Sequence, residues 1–163
     1  MGGVFFGLAA VAAGFAVGAP GGNAGTHGGC RVHVGFPDAS CTPGAVFRNA
    51  NRARVCRPGY TRSVRHVPES LKRAVFAEYG IHGSHHGGAY EVDHLISLEL
   101  GGSNAIENLW PEPAQPRPGF HEKDRVENVL HREVCDGTIS LARAQQLIRS
   151  DWLRVFRRLA RAG

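Results

Sequence analysis

Four prolines lie close together in the second half of the chain, at positions 111, 113, 116 and 118. Proline has no backbone N–H and a fixed φ, so such a run fits neither the interior of a helix nor the middle of a sheet. We therefore expect no regular structure between Pro111 and about Gly119. The residues before this stretch favour strands and those after it favour helices, so the prolines separate two parts of the fold.

The part before the prolines is typical of a helix followed by two strands. Pro68 suits the start of a helix, and Gly80 ends a run of apolar residues at helical spacing. Residues 90–100 are rich in apolar and β-favouring types, a Gly-Gly-Ser-Asn turn follows at 101–104, and residues 106–110 suit a short return strand.

The part after the prolines is typical of helices. Residues 121–134 carry apolar side chains at four-residue spacing, and Ser140 is a good N-cap for a final helix. In this last helix the arginines fall between the apolar positions, as on a helix with one buried face. The order of helix, strand, turn, strand, helix and helix predicts a small α+β domain.

The N-terminus is strongly apolar. An uncharged run at 4–19 precedes a stretch rich in glycine, and the first charged residue is Arg31. We interpret residues 1–24 as a signal peptide or membrane anchor, 25–40 as a Gly-rich linker and 41–163 as the folded domain. The positively charged start of a standard signal is missing, and a buried core helix is the alternative, although so many glycines make a weak helix.

Four cysteines are spread widely, at positions 30, 41, 56 and 135. Since there is no Cys-x-x-Cys pair, a structural zinc knuckle is not expected. In an oxidising compartment two disulfides are the natural interpretation, which agrees with a secreted or cell-envelope protein. Free buried thiols in a cytoplasmic protein are the alternative, and the pairing stays open.

Charge is distributed unevenly along the chain. Residues 44–73 carry a net charge of +7, residues 74–140 carry −7, and residues 141–163 carry +5. An acidic centre between two basic arms suits a cation site within a surface that binds a polyanion. Two solvated basic faces that bind nothing would give the same pattern.

The acidic centre contains a spaced motif. Asp93 and His94 end the first predicted strand, Gly101-Gly102 form the turn, and Asn108 lies 14 residues after His94. His121 follows 13 residues later, at the start of a predicted helix. This pattern resembles the HNH nuclease family, whose ββα-metal unit has the form Asp-His, Gly-Gly, Asn-Leu and a final His or Asn.

The resemblance covers about residues 90–135. The wider chain is similar to a group of small bacterial HNH-like proteins, through Cys41-Thr-Pro-Gly, Val55-Cys-Arg-Pro-Gly-Tyr60, Lys123-Asp-Arg-Val-Glu-Asn128 and Ala144-Gln-Gln followed by Asp151-Trp152. The resemblance implies an α+β fold with a ββα-metal core and additional flanking helices, and a metal-dependent endonuclease of the HNH kind.

The chemistry of phosphodiester hydrolysis explains these residue types independently. The attacking water must lose a proton near neutral pH, and imidazole is the side chain whose ordinary pKa fits that task. A divalent metal can polarise the phosphate and stabilise the leaving oxygen. The resemblance implies that His94 is the general base, that Asn108 fixes the loop that orients it, and that Asp93 and His121 hold the metal.

Two points about the metal ligands stay open. Asp124 or Glu127, one or two turns further along the helix, could replace His121. In addition, neighbouring residues on a regular strand point to opposite faces, so Asp93 and His94 cannot both face one metal unless the strand ends or twists there.

We expect a Mg²⁺- or Mn²⁺-dependent hydrolase acting on DNA with little sequence preference, because no base-reading element is visible. Zn²⁺, Ni²⁺ and an RNA substrate stay open, and no small-molecule cofactor is expected. The alternative is a catalytically inactive secreted domain that binds nucleic acid on the same scaffold. A third hypothesis is a cell-envelope interaction module whose metal is structural.

Overall fold

The computed structural model describes residues 1–3, 29–82 and 88–162. These residues form six α-helices, two short 3-10 helices and one two-stranded antiparallel sheet, which confirms the predicted α+β class. In chain order the elements are α1 (Arg52–Val55), α2 (Tyr60–Val64), α3 (Glu69–Glu78), β1 (Tyr90–His94), the 3-10 helices Leu98–Leu100 and Ile106–Asn108, β2 (Leu109–Pro113), α4 (Phe120–Asp136), α5 (Leu141–Ser150) and α6 (Trp152–Ala162).

Strand β1 is shorter than the sequence predicts, and strand β2 is longer. β1 ends at His94 instead of continuing to residue 100, and β2 runs on through Pro111 to Pro113. The expectation that regular structure stops at Pro111 is therefore wrong. In a two-stranded sheet each strand has a free edge, where a missing N–H removes no ladder hydrogen bond. The register pairs Asp93 with Trp110 and His94 with Leu109.

Helix α4 is the central helix and begins directly after the proline stretch. Its first turn is capped by Glu122, whose Oε2 accepts a hydrogen bond of 2.8 Å from the N–H of Gly119. Val126, Leu130 and Val134 are fully buried on one face, at the four-residue spacing that the sequence predicts. This face packs against α5 and α6 and forms the main core with them.

The C-terminal region contains two helices where one was predicted. Ser140 caps α5 as expected, since its Oγ accepts from the N–H of Arg143 at 3.1 Å. The chain breaks at Asp151 and restarts as α6, which places the fully buried Trp152 at the first position of the new helix. The indole N–H of Trp152 donates to the carbonyl of Gly35 at 2.6 Å.

That bond ties part of the predicted linker to the domain. Cys30 is buried and Phe36 packs its ring 6.3 Å from the ring of Trp152, so the packed region reaches upstream of Cys41. The predicted signal peptide or anchor lies almost entirely outside the described residues. Among the residues that are described, no helix has both the length and the apolar character needed to cross a membrane.

Two disulfides staple the fold. Cys30 is bonded to Cys41, and Cys56 at the end of α1 is bonded to Cys135 near the end of α4. The prediction of two disulfides is thus confirmed, and the structure supplies the pairing that the sequence left open. Disulfides indicate an oxidising, extracellular type of environment.

Candidate active site

The loop that follows His94 is held by the side chain of Asn108. This amide is fully buried, and its Oδ1 accepts from the N–H of Ile96 at 2.9 Å. Its Nδ2 donates to the carbonyls of Ile96 at 3.0 Å and Ser103 at 2.9 Å. One side chain therefore satisfies three backbone groups of the loop between β1 and β2, which keeps the end of β1 in one position.

The Gly-Gly pair of the motif has a steric reason. A Cβ on Gly102 would lie 1.7 Å from the carbonyl oxygen of Ile96, and Gly101 adopts a left-handed φ of +80°. The loop can therefore fold back against residues 96–97 only if both positions are glycine. Gly102 and Asn108 thus serve the same turn, which explains why they occur together in the motif.

His94 is almost completely buried, and its imidazole is held by a residue that the sequence analysis treated only as part of a turn. Nε2 lies 3.1 Å from Oδ1 of Asn104, while Nδ2 of Asn104 donates to the carbonyl of Val64 at 2.7 Å. Because Oδ1 can only accept, Nε2 of a neutral His94 carries the hydrogen. Nδ1 is then the nitrogen with a free lone pair.

The surroundings of His94 favour its neutral form. Burial lowers the pKa of His94, and the positive charges of Arg65 and Lys123 act in the same direction, against the hydrogen bond to Asn104 and the charge of Asp93. A neutral imidazole with a free nitrogen can accept a proton. This is the property that a general base requires.

His94 also lines an open cleft of about 440 Å³. Two cations face this cleft, Arg65 from the segment after α2 and Lys72 from α3. The remaining walls are mostly apolar, with the rings of Phe76, Tyr90 and Phe120, and Glu91 is the one acidic residue among them. The cleft therefore combines a candidate base with positive side chains that suit an anionic substrate.

Asp93 points away from this arrangement, towards α4. Its Oδ2 lies 2.6 Å from Nζ of Lys123, a fully buried lysine on the first turn of the helix. Burial acts to raise the pKa of Asp93, but the charge of Lys123 together with hydrogen bonds from Glu112 and Lys123 outweighs it, and the pKa lies below its usual range. Asp93 and His94 thus diverge, as the alternation of side chains along a strand requires.

Three carboxyl groups and one backbone carbonyl surround the ammonium of Lys123. Besides Asp93, Nζ lies 2.5 Å from Oε1 of Glu127, 3.6 Å from Oε2 of Glu112 and 2.9 Å from the carbonyl oxygen of His94. The carboxylates hold the pKa of Lys123 well above its usual value although burial opposes this. A buried cation therefore joins β1 and β2 to α4, and it is an ammonium.

Glu112 and Glu127 are the two acids whose negative charge the single ammonium of Lys123 does not fully balance. Burial raises the pKa of Glu127 to about 8 and that of Glu112 well above its usual range, in both cases against the attraction of Lys123. Three carboxyl groups thus share one ammonium, and burial favours the protonated forms of Glu112 and Glu127. The sequence predicts Glu127 only as a substitute metal ligand, and no motif residue points to Glu112.

His121, the predicted helix ligand, lies at the second position of α4 and is exposed, with its ring centred 4.2 Å from that of Phe120. One turn along the helix, burial and the charge of Asp93 raise the pKa of Asp124, while the charges of Lys123 and His121 lower it. Glu91 also has a raised pKa, first from burial and then from Asp93 and Asp124. The start of α4 and the outer part of β1 therefore form an acidic patch, defined here as Glu91, Asp93 and Asp124.

The structure brings some of the predicted site residues together and not others. Asp93, His94 and Asn108 belong to one strand-and-loop unit, while His121 stands apart on the helix surface. Within residues 29–82 and 88–162, only one set of three or more His, Cys, Asp or Glu residues has ligand atoms that all lie within 4.8 Å of one another. This set is Cys56, His131 and Cys135. Two of these could hold a metal only as thiolates, and they form a disulfide.

Compared with known proteins, the chain matches no family model, no curated protein and no solved structure. The resemblance to the HNH family therefore depends on the motif residues themselves.

Proposed function

We propose that the protein is a divalent-metal-dependent endonuclease of the HNH kind, which hydrolyses phosphodiester bonds in DNA with little sequence preference. The observation that supports this most is the state of His94: a neutral imidazole, with Nε2 bonded to Asn104 and Nδ1 unprotonated, in the wall of a cleft that holds Arg65 and Lys72. β1, β2 and α4 would be the ββα unit.

In this proposal the polar and basic side chains in and beside the cleft have separate tasks. His94 removes a proton from the attacking water at Nδ1, and Asn104 keeps the ring from turning. Arg65 and Lys72 bind the phosphate and its neighbours through charge. Asn108 acts indirectly, because it holds the loop that begins immediately after His94.

The acidic patch of Glu91, Asp93 and Asp124 would hold the metal, with His121 at its edge. Burial raises the pKa values of Glu91 and Asp124, and the negative charge of Asp93 raises both further. A divalent cation with oxygen ligands would relieve this crowding of negative charge. When bound, such an ion neutralises phosphate charge and stabilises the leaving oxygen. The ligand atoms do not converge within 4.8 Å, so binding requires the exposed side chains of Asp124 and His121 to turn inward.

The Lys123 ammonium supports a second candidate, a catalytically inactive domain that binds nucleic acid. Lys123 already neutralises Asp93 at 2.6 Å, so one oxygen of the expected metal ligand is engaged. The buried ammonium would then take the structural role of a metal ion, because it holds Asp93 of β1 against α4. The basic regions of the chain would bind phosphates without cleaving them.

Nicking of supercoiled plasmid DNA separates the two candidates. Wild-type protein is incubated with Mg²⁺, Mn²⁺, Zn²⁺ or Ni²⁺ and with chelator, and compared with His94→Gln, whose amide can still donate to Asn104. General-base catalysis is worth about 100- to 10,000-fold, so we expect metal-dependent nicking that falls by at least about 100-fold in the variant.

The matched control is His33→Gln, which changes an exposed histidine on the N-terminal segment and should leave nicking unchanged. Retardation of DNA in a gel without cleavage under any metal would favour the inactive domain. Cleavage by His94→Gln at the wild-type rate would remove His94 from the role of base.

A further inference from the structure

A second cavity, of about 410 Å³, lies between α1, α2 and the segment that leads into α1. Its volume is in the range of about 300–1,000 Å³ that is usual for sites of small ligands. The side chains that give it chemical character are Phe47, Asn49, Arg54, Arg57, Tyr60 and Ser63. None of the candidate catalytic residues lines it.

The fold anchors both aromatic residues of this cavity, Phe47 by its backbone and Tyr60 by packing of its side chain. The N–H of Phe47 donates to the carbonyl of Gly101 at 2.9 Å, so Phe47 is tied to the glycine turn of the motif. Tyr60 is partly buried and packs against the main core. Burial raises the pKa of Tyr60, and its ring is therefore neutral at physiological pH. Fixed neutral rings on a cavity wall provide flat faces on which a base can stack.

The charge of the cavity is entirely positive. Arg54 and Arg57 line it, and no Asp or Glu does. Within the part of the chain that the structure describes, neither guanidinium forms an ion pair with a carboxylate. Unpaired arginines beside aromatic rings recognise a phosphate and a base together, because guanidinium binds phosphate oxygens and the ring binds the π face.

The cavity adjoins the His94 cleft. Val64 lines the cavity, and the next residue, Arg65, lines the cleft. The carbonyl of Val64 also accepts the 2.7 Å hydrogen bond from Asn104, the residue that holds the ring of His94. A chain of nucleotides that passes Arg65 would therefore place one member next to His94 and its neighbour in the cavity.

We propose that this cavity is a nucleotide subsite that takes one unpaired base, stacked on Tyr60 and Phe47, with its phosphate on Arg54 and Arg57. This rests on the proposed function, and it adds a preference for single-stranded over fully paired nucleic acid, since a base in a duplex is not free to enter a pocket. The subsite positions the strand so that the adjoining phosphodiester lies in the His94 cleft.

The test is binding of a fluorescently labelled single-stranded oligodeoxynucleotide with phosphorothioate linkages, measured by anisotropy in chelator at constant salt. The protein carries His94→Gln, so that cleavage plays no part. Tyr60→Leu removes the aromatic face and keeps apolar bulk, and stacking is worth enough per base that we expect affinity to fall by about 5- to 100-fold. Affinity for a duplex of the same sequence should change by less than about twofold, and Tyr60→Phe should bind like the parent.

Arg57→Gln is the second variant, because Arg57 is exposed and its replacement does not disturb the core. Its matched control is Arg143→Gln, an exposed arginine on α5 with the same change in charge. Weaker single-strand binding by Arg57→Gln than by Arg143→Gln supports the subsite. Equal losses in the two arginine variants, or unchanged single-strand binding by Tyr60→Leu, would overturn it.

This outcome is independent of cleavage. A protein that never nicks DNA but shows the Tyr60-dependent preference for single strands keeps the subsite and loses the nuclease. A protein that nicks DNA in a His94-dependent way without any effect of Tyr60→Leu on binding keeps the nuclease and loses the subsite.

Discussion

Replacing the buried Lys123 with methionine should lower the free energy of unfolding by about 3–5 kcal/mol near neutral pH, the usual cost of breaking a buried ion pair. Methionine has a similar length and is flexible and apolar, so the change removes the ammonium and little of the packing. Nζ lies 2.6 Å from Asp93, 2.5 Å from Glu127 and 2.9 Å from the carbonyl of His94. Its loss leaves these buried oxygens without their cation, in a domain whose total stability is on the order of 5–15 kcal/mol.

The loss should grow as the pH rises. Lys123 lowers the pKa values of Asp93, Glu112 and Glu127, so its removal raises all three in the folded protein above their usual values of 3.8 for Asp and 4.5 for Glu. A carboxyl whose pKa is higher in the folded state stabilises the fold fully below its unfolded-state pKa and loses that contribution as the pH rises through its folded-state pKa. The difference between variant and wild type should thus be smallest near about pH 4 and largest near about pH 8.

Urea unfolding followed by tryptophan fluorescence measures this difference, since Trp110 and Trp152 are both fully buried. The control is Lys72→Met, which breaks an exposed 2.7 Å ion pair with Glu69 and should lower the free energy of unfolding far less than Lys123→Met does. A loss below about 1 kcal/mol for Lys123→Met, or a loss that is the same at the two pH values, would refute the described role of the ammonium.

Asn108→Ala should lower the free energy of unfolding by about 3–5 kcal/mol in urea, because three buried backbone groups lose their partner, and a loss below about 1 kcal/mol would contradict this. Burial raises the pKa of Tyr79 to about 12, so stability that is complete below about pH 10 should be lost as the pH rises through about 12, whereas Tyr79→Phe should lack this loss in alkaline melts. Replacing Cys56 and Cys135 together by serine opens a loop of 79 residues and should cost about 4–5 kcal/mol; a melting temperature equal to that of wild type would argue against it.

The fold class and most elements could be predicted from local pattern. Helix α4, the N-cap at Ser140 and the hairpin-like order of β1 and β2 all follow from the spacing of apolar residues and from turn residues that are close together in the chain. The errors in the sheet concern the ends of its strands. The prolines of β2 are tolerated because this sheet has only two strands, and sequence alone does not show how many strands a sheet has.

The short helices α1 and α2 were not predicted, so the side chains that they place near the candidate site were not predicted either. Each has five residues or fewer, too short for a periodic pattern. Helix α1 nevertheless carries Arg54 and α2 carries Tyr60 of the second cavity, and Arg65, which follows α2, lines the cleft of His94. Their positions depend on long-range contacts, among them the bond from Asn104 to Val64 and the disulfide from Cys56 to Cys135.

What the sequence determined by itself is the strand-and-loop unit from Asp93 to Asn108. Its glycine turn, its amide and its histidine lie within a short stretch, so steric limits and local hydrogen bonds dictate its shape. Only the tertiary structure decided which group stands between that unit and α4. The ammonium of Lys123 meets Asp93 and Glu112 there because helix packing removes all three from water, and a buried charge must then find its counter-charge wherever the fold provides it.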